Sequence, residues 1–310
     1  MGEGLKNILP SCVDLVSIII HPLSRLLGRK RVRILCYHRV CDLPETSDSM
    51  SFLNVSPEAF TQQVKFLSQG GFNVITLEEL IEYKRKNIKL PPKTVILTFD
   101  DGYRDNYLNA FPILKKYSLR GTFFIVTDYI GSDRLFHWLK LGEKSLVHFQ
   151  EKRQYWLPLS QEEILEMNAH GACFGSHTKS HCCLTQVDES EAMGELVGSK
   201  GCLEEILEKP VTCFCYPYGE VNRSARNWVR RAGYQAAVAK WGSNTEKTDL
   251  FKLRRIPINS RDSLTKFRRK VEGAYDWWFD RVLPLVIGVW EAVSRRRGGS
   301  NVREINFPKS

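Results

Sequence analysis

Two short stretches hold most of the chemistry this chain could do. Thr98-Phe99-Asp100-Asp101-Gly102 closes an apolar run, and His177-Thr178-Lys179-Ser180-His181 follows about seventy-five residues later. Together they offer two carboxylates and two imidazoles. That is the donor set of a hydrolytic metal site, in which a divalent ion keeps open positions for water and a substrate carbonyl. Adjacent residues at a strand end point to opposite sides. One of Asp100 and Asp101 is therefore expected to ligate metal and the other to face the reacting water. His177 and His181, four apart, either share a helix face or clamp together in a tight loop, and neutral imidazoles so spaced suit zinc and its neighbours.

Two more groups belong with these. In Tyr216-Pro217-Tyr218-Gly219 the proline cannot donate a hydrogen bond, so a strand stops there and the Tyr218 N–H becomes a candidate oxyanion donor. His38, in Cys36-Tyr37-His38-Arg39-Val40, ends the first apolar run, and an imidazole with a near-neutral pKa is a natural proton donor for a leaving amine. Each motif alone also reads as an ordinary turn or a core histidine. Their combination is what points to catalysis.

Positioning them requires strand ends that meet. Val32 to Tyr37 is expected as a buried strand, and Ser56-Pro57-Glu58 opens a helix running to Gly70-Gly71. Phe72 to Ile75 is a short strand, and Thr76-Leu77-Glu78-Glu79 is a capping box for the next helix. Strand Thr94 to Phe99, a helix from Asp105 to Tyr117 and strand Thr122 to Val126 follow. Residues 131 to 158 are aromatic and irregular, an insertion over one face, whose Trp138 and Trp156 suit either sugar stacking or packing. A second capping box, Ser160 to Glu163, starts a helix that leads to strand Ala172 to Gly175. Helix Asp188 to Glu208, strand Val211 to Tyr216, helix Asn222 to Ala232 and strand Tyr234 to Ala239 complete the alternation. Repeated strand-helix units imply an α/β fold with a parallel sheet, closed or incomplete as a barrel, with the motifs at the strands' C-terminal ends.

The chain has 310 residues, 43% hydrophobic and 26% charged, ordinary for a globular protein, but its net charge of +10 is not ordinary. The charge gathers in Arg29-Lys30-Arg31 with Arg33, in Arg254-Arg255, in Arg268-Arg269-Lys270 and in Arg295-Arg296-Arg297. The aromatic residues do not interleave with these clusters, so no nucleic-acid partner is expected. Clusters that flank apolar stretches suit an anionic membrane surface or carrier group, and the others suit solvated faces. Residues 8 to 27 are apolar but interrupted by Asp14, His21 and Pro22, which fits neither a cleaved leader nor a spanning helix. Asp280 to Val293 is a second apolar stretch, too short to span a bilayer, to be held in an interface or docked on the barrel. Nine cysteines without a disulfide framework favour a reducing cytoplasm. The expected division is an N-terminal extension over 1–31, a barrel over 32–260 and a helical tail over 261–310.

TFDDG, SHTxxH and YPYG, in that order at successive strand ends, resemble the NodB-homology polysaccharide deacetylases, carbohydrate esterase family 4. The opening RILCYHRV is similar to the branch that includes poly-N-acetylglucosamine deacetylases. The resemblance covers roughly residues 32 to 258 and implies an incomplete, seven-stranded (β/α) barrel. It implies a metal-dependent hydrolase, most simply with zinc, that removes the N-acetyl group from an amino sugar in exopolysaccharide or capsule synthesis. The substrate would be the polymer or a lipid- or nucleotide-linked precursor, and the basic-flanked apolar ends of a chain expected in the cytoplasm suggest that it is met at the inner face of a membrane. Asp100 matches the catalytic base, Asp101, His177 and His181 the metal ligands, and Tyr218 the residue whose N–H holds the oxyanion. No histidine follows His181, so His38 takes the acid's place. The motif that often begins with an Arg bracing the base begins here with Cys215, which leaves open what orients Asp100. Cys213 and Cys215 read as small buried residues. An amidohydrolase for a small non-sugar amide and a degenerate glycan-binding scaffold are the competing readings.

Overall fold

Strands buried on both faces, joined by helices, are the pattern of a parallel sheet under a helical cover. The computed structural model describes residues 13–24, 31–42, 50–139, 152–245 and 247–282. Its strands are β1 (Arg33–Tyr37), β2 (Arg39–Val40), β3 (Asn54–Val55), β4 (Asn73–Ile75), β5 (Thr94–Phe99), β6 (Thr122–Ile125), β7 (Cys173–Ser176), β8 (Cys213–Cys215), β9 (Ala236–Trp241) and β10 (Leu253–Pro257). β1 pairs with β10 on one side and with β5 on the other. The ring β1-β5-β6-β7-β8-β9-β10 is therefore closed and wholly parallel. β4 lies along the first half of β5, from Asn73↔Thr94 to Ile75↔Ile96, and β6 takes the second half. The barrel is incomplete only in having seven strands where the common form has eight.

Residues alternate between the two faces with the period of two that strands impose. Ile34, Ile96, Phe124, Cys173, Cys213, Val238 and Leu253 fill the interior. Leu35, Leu97, Phe123, Phe174, Phe214 and Ile256 point outward into the layer beneath the helices. At Gly175 an added Cβ would lie 2.7 Å from the Phe124 ring and 2.8 Å from the Cys213 carbonyl oxygen, so no side chain fits between β6 and β8 there.

The helix starts follow the sequence signals. Ser56 caps Pro57–Gln69, and Thr76 and Ser160 form full capping boxes with Glu79 and Glu163. The expected helix from Asp105 to Tyr117 is instead a π-helical turn, Asn106–Ala110, followed by α-helix Phe111–Lys116. Strand β10 was not anticipated, because its arginines mask the apolar period, while the helix Leu264–Val271 falls within the tail expected to be helical.

Four members of the basic clusters are paired inside the fold, while Arg254 and Arg268 of the same clusters are exposed. Arg255 is buried, Arg33 is buried with Asp276 at 2.9 Å, and Lys270 is buried on Asp262 at 2.6 Å. Arg31 pairs with Asp280 at 2.6 Å. Of the stretch Asp280 to Val293 only the first three residues are described, and the rest, with Arg295-Arg296-Arg297, lies outside the described residues. The N-terminal helix over 13–24 packs on Leu264–Val271 and Tyr275, with Asp14 bonded to Tyr275 and His21 to Glu272. No helix among the described residues is long and apolar enough to cross a membrane.

Candidate metal centre

The TFDDG segment ends β5 beside the end of β1, where the Asp100 N–H donates to the Tyr37 carbonyl oxygen at 3.0 Å. Asp101 (φ 73°) and Gly102 (φ 81°) turn the chain in left-handed conformations, so the two aspartates diverge. Asp101 turns toward the end of β7. There His177 and His181 sit in a tight loop, not a helix, with Thr178 and His181 both at φ 67°. Glu195, from the helix Glu189–Leu207, locks this loop by accepting from the N–H groups of Lys179 at 2.8 Å and Ser180 at 3.0 Å. Backbone strain of this kind persists only where surrounding contacts hold it, and it clusters at functional sites.

The result is a compact donor triad. Asp101 Oδ1 lies 3.5 Å from His177 Nε2 and 3.6 Å from His181 Nε2, and all three side chains are buried. Donors about 2.1 Å from a shared ion in tetrahedral arrangement stand roughly 3.4 Å apart, so the spacing fits a metal of zinc's size. His177 Nδ1 donates to the Cys215 carbonyl oxygen at 2.8 Å, which fixes the tautomer and leaves Nε2 as the lone-pair donor. Burial, with His177 next to it, pushes the His181 imidazole down to about 3, so it is neutral and ready to ligate. Burial works to raise Asp101, but the neighbouring His177 and His181 lower it, keeping it an anion.

Asp100 faces the other way, into the barrel mouth. The missing brace is supplied from β10: Arg255 donates to both Asp100 oxygens, at 2.6 and 2.7 Å. Cys215 stands 3.2 Å from the same guanidinium and, like Cys36, places its sulfur 3.6 Å from Asp100 Oδ2. Burial acts to raise the Asp100 carboxyl, but Arg255 overcomes this and holds it below the usual carboxylate range. What orients Asp100, left open by Cys215 in the sequence, is a guanidinium from another strand. Its strand parity with inward-facing Leu253 is the one sequence signal that could have found it.

His38 closes the group, with Nε2 3.8 Å from Asp100 Oδ2. Burial lowers its pKa, partly opposed by Asp100. The π-helical turn holds the chain around it. Asn106 donates to the His38 carbonyl oxygen at 2.9 Å, Asp105 accepts from the Val40 N–H at 3.2 Å, and Asn109 donates to the Val40 carbonyl oxygen at 2.7 Å. Asn106→Ala is therefore expected to lower kcat roughly tenfold by letting the imidazole drift, with metal content and KM nearly unchanged. Steady-state kinetics beside a metal assay checks this.

Tyr218 has a left-handed backbone (φ 59°) and sets its ring against His181 at 4.7 Å, 55% exposed at the mouth. Trp138 lies over His181 at 4.2 Å, and its indole N–H donates to the Tyr103 hydroxyl at 3.0 Å. The indole thus walls the metal-binding imidazole. Trp156 is a packing residue, buried 4.9 Å over Arg39. The structure brings together all six residues singled out in the sequence, and adds Arg255, Asn106 and Glu195.

The model of the family described as polysaccharide deacetylase matches residues 87–237, between the strands that bring His38 and Arg255. The chain is 26% identical over 243 residues to the putative polysaccharide deacetylase YxkH of Bacillus subtilis, covering 78% of this chain and 76% of that one. It is 29% identical over 188 residues to the poly-beta-1,6-N-acetyl-D-glucosamine N-deacetylase of Staphylococcus aureus, 61% of each chain. Among solved structures it is similar to the Streptococcus pyogenes deacetylase PplD, determined in complex with acetate. There the TM-score is 0.65 at 26% identity, over 78% of this chain and 98% of that one.

Proposed function

This chain belongs to the polysaccharide deacetylases, and from that premise we propose that it removes the N-acetyl group from an amino sugar in exopolysaccharide or capsule synthesis. The substrate is the polymer itself or a lipid- or nucleotide-linked precursor of it. The observation that carries this reading is the Asp101-His177-His181 donor triad beside the Asp100–His38 pair. The Staphylococcus aureus relative, by its name an N-deacetylase of an N-acetylglucosamine polymer, supports the substrate class.

Two imidazole nitrogens and a carboxylate oxygen at tetrahedral spacing suit Zn2+. A divalent ion held there supplies Lewis acidity to the acetamide carbonyl and to water. Asp100, oriented by Arg255, takes a proton from the attacking water. His38 donates a proton to the sugar nitrogen, which would otherwise leave as an unstable amide anion. The Tyr218 N–H is assigned to the carbonyl oxygen as it becomes negative. Water and an N-acetyl sugar give acetate and a free amino sugar. The eight cysteines among the described residues are all free thiols, which supports a reducing cytoplasm, and we place the reaction at a membrane surface there.

One observation favours a second assignment of the base. Arg255 already occupies both Asp100 oxygens, which weakens that carboxylate as a proton acceptor. His38 would then both accept the proton from water and return it to nitrogen. The pH profile separates the two. A protonated acid beside an ionised base gives a bell, whereas a single neutral His38 gives only an acidic limb.

The test of the function is metal content, read beside acetate release from N-acetylglucosamine oligomers and from a nucleotide-linked N-acetyl sugar. About one ion per chain with equimolar acetate and free amine is expected. Metal without acetate from any N-acetyl sugar would move the search to other amides. A chain that holds no metal after reconstitution would be a glycan-binding protein instead.

A further inference from the structure

The helix over 13–24 is amphipathic in the inverted sense. Val13 and Ser17 are buried, and Asp14 and His21 bond to Tyr275 and Glu272, so the polar stripe faces the protein. Leu15, Val16, Ile18, Ile19 and Leu23 point outward, Ile19 at 71% and Leu23 at 61% exposure. The three interruptions noted in the sequence, Asp14, His21 and Pro22, thus include two that make the docking bonds to the barrel. A contiguous apolar face of this size on a folded domain marks a surface that something covers.

What flanks the face says what covers it. Arg25, Arg29 and Lys30 follow the helix within six residues in the sequence. A second apolar stretch, residues 283–293, followed by Arg295-Arg296-Arg297, continues from Val282. Both segments join the fold at one place, because Arg31 bonds Asp280 at 2.6 Å. Twelve helical residues cannot span a bilayer, but an apolar helix face followed in sequence by a basic cluster is what an interfacial helix presents to anionic lipid. We propose that the outward face of the helix over 13–24 is the surface by which this chain docks on an anionic lipid membrane. This rests on the membrane-surface part of the proposed function, and the catalytic part stands apart from it.

The experiment uses the full chain and co-sedimentation with phosphatidylglycerol–phosphatidylcholine vesicles, against phosphatidylcholine alone. Wild type is expected to sediment with the anionic vesicles at least tenfold more strongly than Ile19→Asp/Leu23→Asp, and to be released by high salt. Acetate release from a soluble oligomer, read on the same samples, should be equal in both. Wild type left in the supernatant, or equal sedimentation of the variant, overturns the proposal without touching the catalytic reading. So does a large fall in the melting temperature of the variant, which would mean that residues 283–293 cover the face. Loss of a dimer in the variant would make the face a contact between copies, and would overturn the proposal too.

Discussion

Asp101→Asn is expected to give a folded protein that holds almost no metal and turns over at least about a thousandfold more slowly. Asparagine keeps the size of the side chain and tolerates the left-handed backbone at this position (φ 73°), so only the charge and the ligand oxygen are lost. What remains is two imidazoles, of which only His177 has its tautomer held by a hydrogen bond to a carbonyl oxygen. Losing a partner behind a ligand already weakens metal binding 10- to 100-fold, and losing a ligand costs more, so a drop of at least about 100-fold in affinity follows. Metal per chain after dialysis against a zinc buffer is the measurement, with thermal unfolding to show that the fold is intact. Full occupancy in the variant would mean that the two aspartates have exchanged roles, with Asp100 as the ligand.

Arg255→Met is expected to cost stability as well as activity. It removes the bidentate partner of a carboxylate that is itself buried, and an orphaned buried charge typically costs about 3–5 kcal/mol. For a chain of this size that lowers the melting temperature by roughly 10 °C. The pH dependence gives a sharper signature, best read on metal-free protein. In the wild type the folded Asp100 lies below its ordinary value, so its stabilising contribution is present above the unfolded carboxylate pKa, about 3.9. It is lost only as the pH falls through the lower folded value. Without Arg255, burial is opposed only by the two nearby histidines, His38 and His177, and the folded carboxyl rises. The deficit of Arg255→Met against wild type should therefore be largest near neutrality and shrink as the pH falls toward 4. Adding Cys215→Arg should recover part of both losses, because that sulfur already lies 3.2 Å from the guanidinium. An Arg255→Met protein as stable as wild type at pH 7 would show that Asp100 is protonated at rest.

The fold was legible where the signals are local. Strand Thr94 to Phe99, the capping boxes at Thr76 and Ser160, and the helix after Asp188 stand where their own residues place them. The Asp101-His177-His181 donor triad was legible because ligand types crowd into two short motifs. Arg255 was not, since its partner is 155 residues away and its apparent context is a pair of surface-like cations. β10 was missed for the same reason: an inward arginine on a strand looks like a polar interruption until the carboxylate it meets is known. The π-helical turn at Asn106 escaped because a wide turn and an α-helix share one apolar period over so few residues. What it does, holding the His38 carbonyl, is a contact between two strand ends that no local pattern records.

The closure of the ring has a consequence for how the enzyme comes into being. β1 waits unpartnered on one edge until β10 arrives, since Leu35 pairs with Ile256. A chain growing from the ribosome gains Asp101, His177 and His181 long before it gains Arg255, and long-range closure of this kind is the late step in folding. The metal ligands can thus come together while Asp100 still lacks its guanidinium. The last strand both seals the cylinder and brings the guanidinium to Asp100, so under the proposed mechanism an unfinished chain would hold the donor triad without an oriented base.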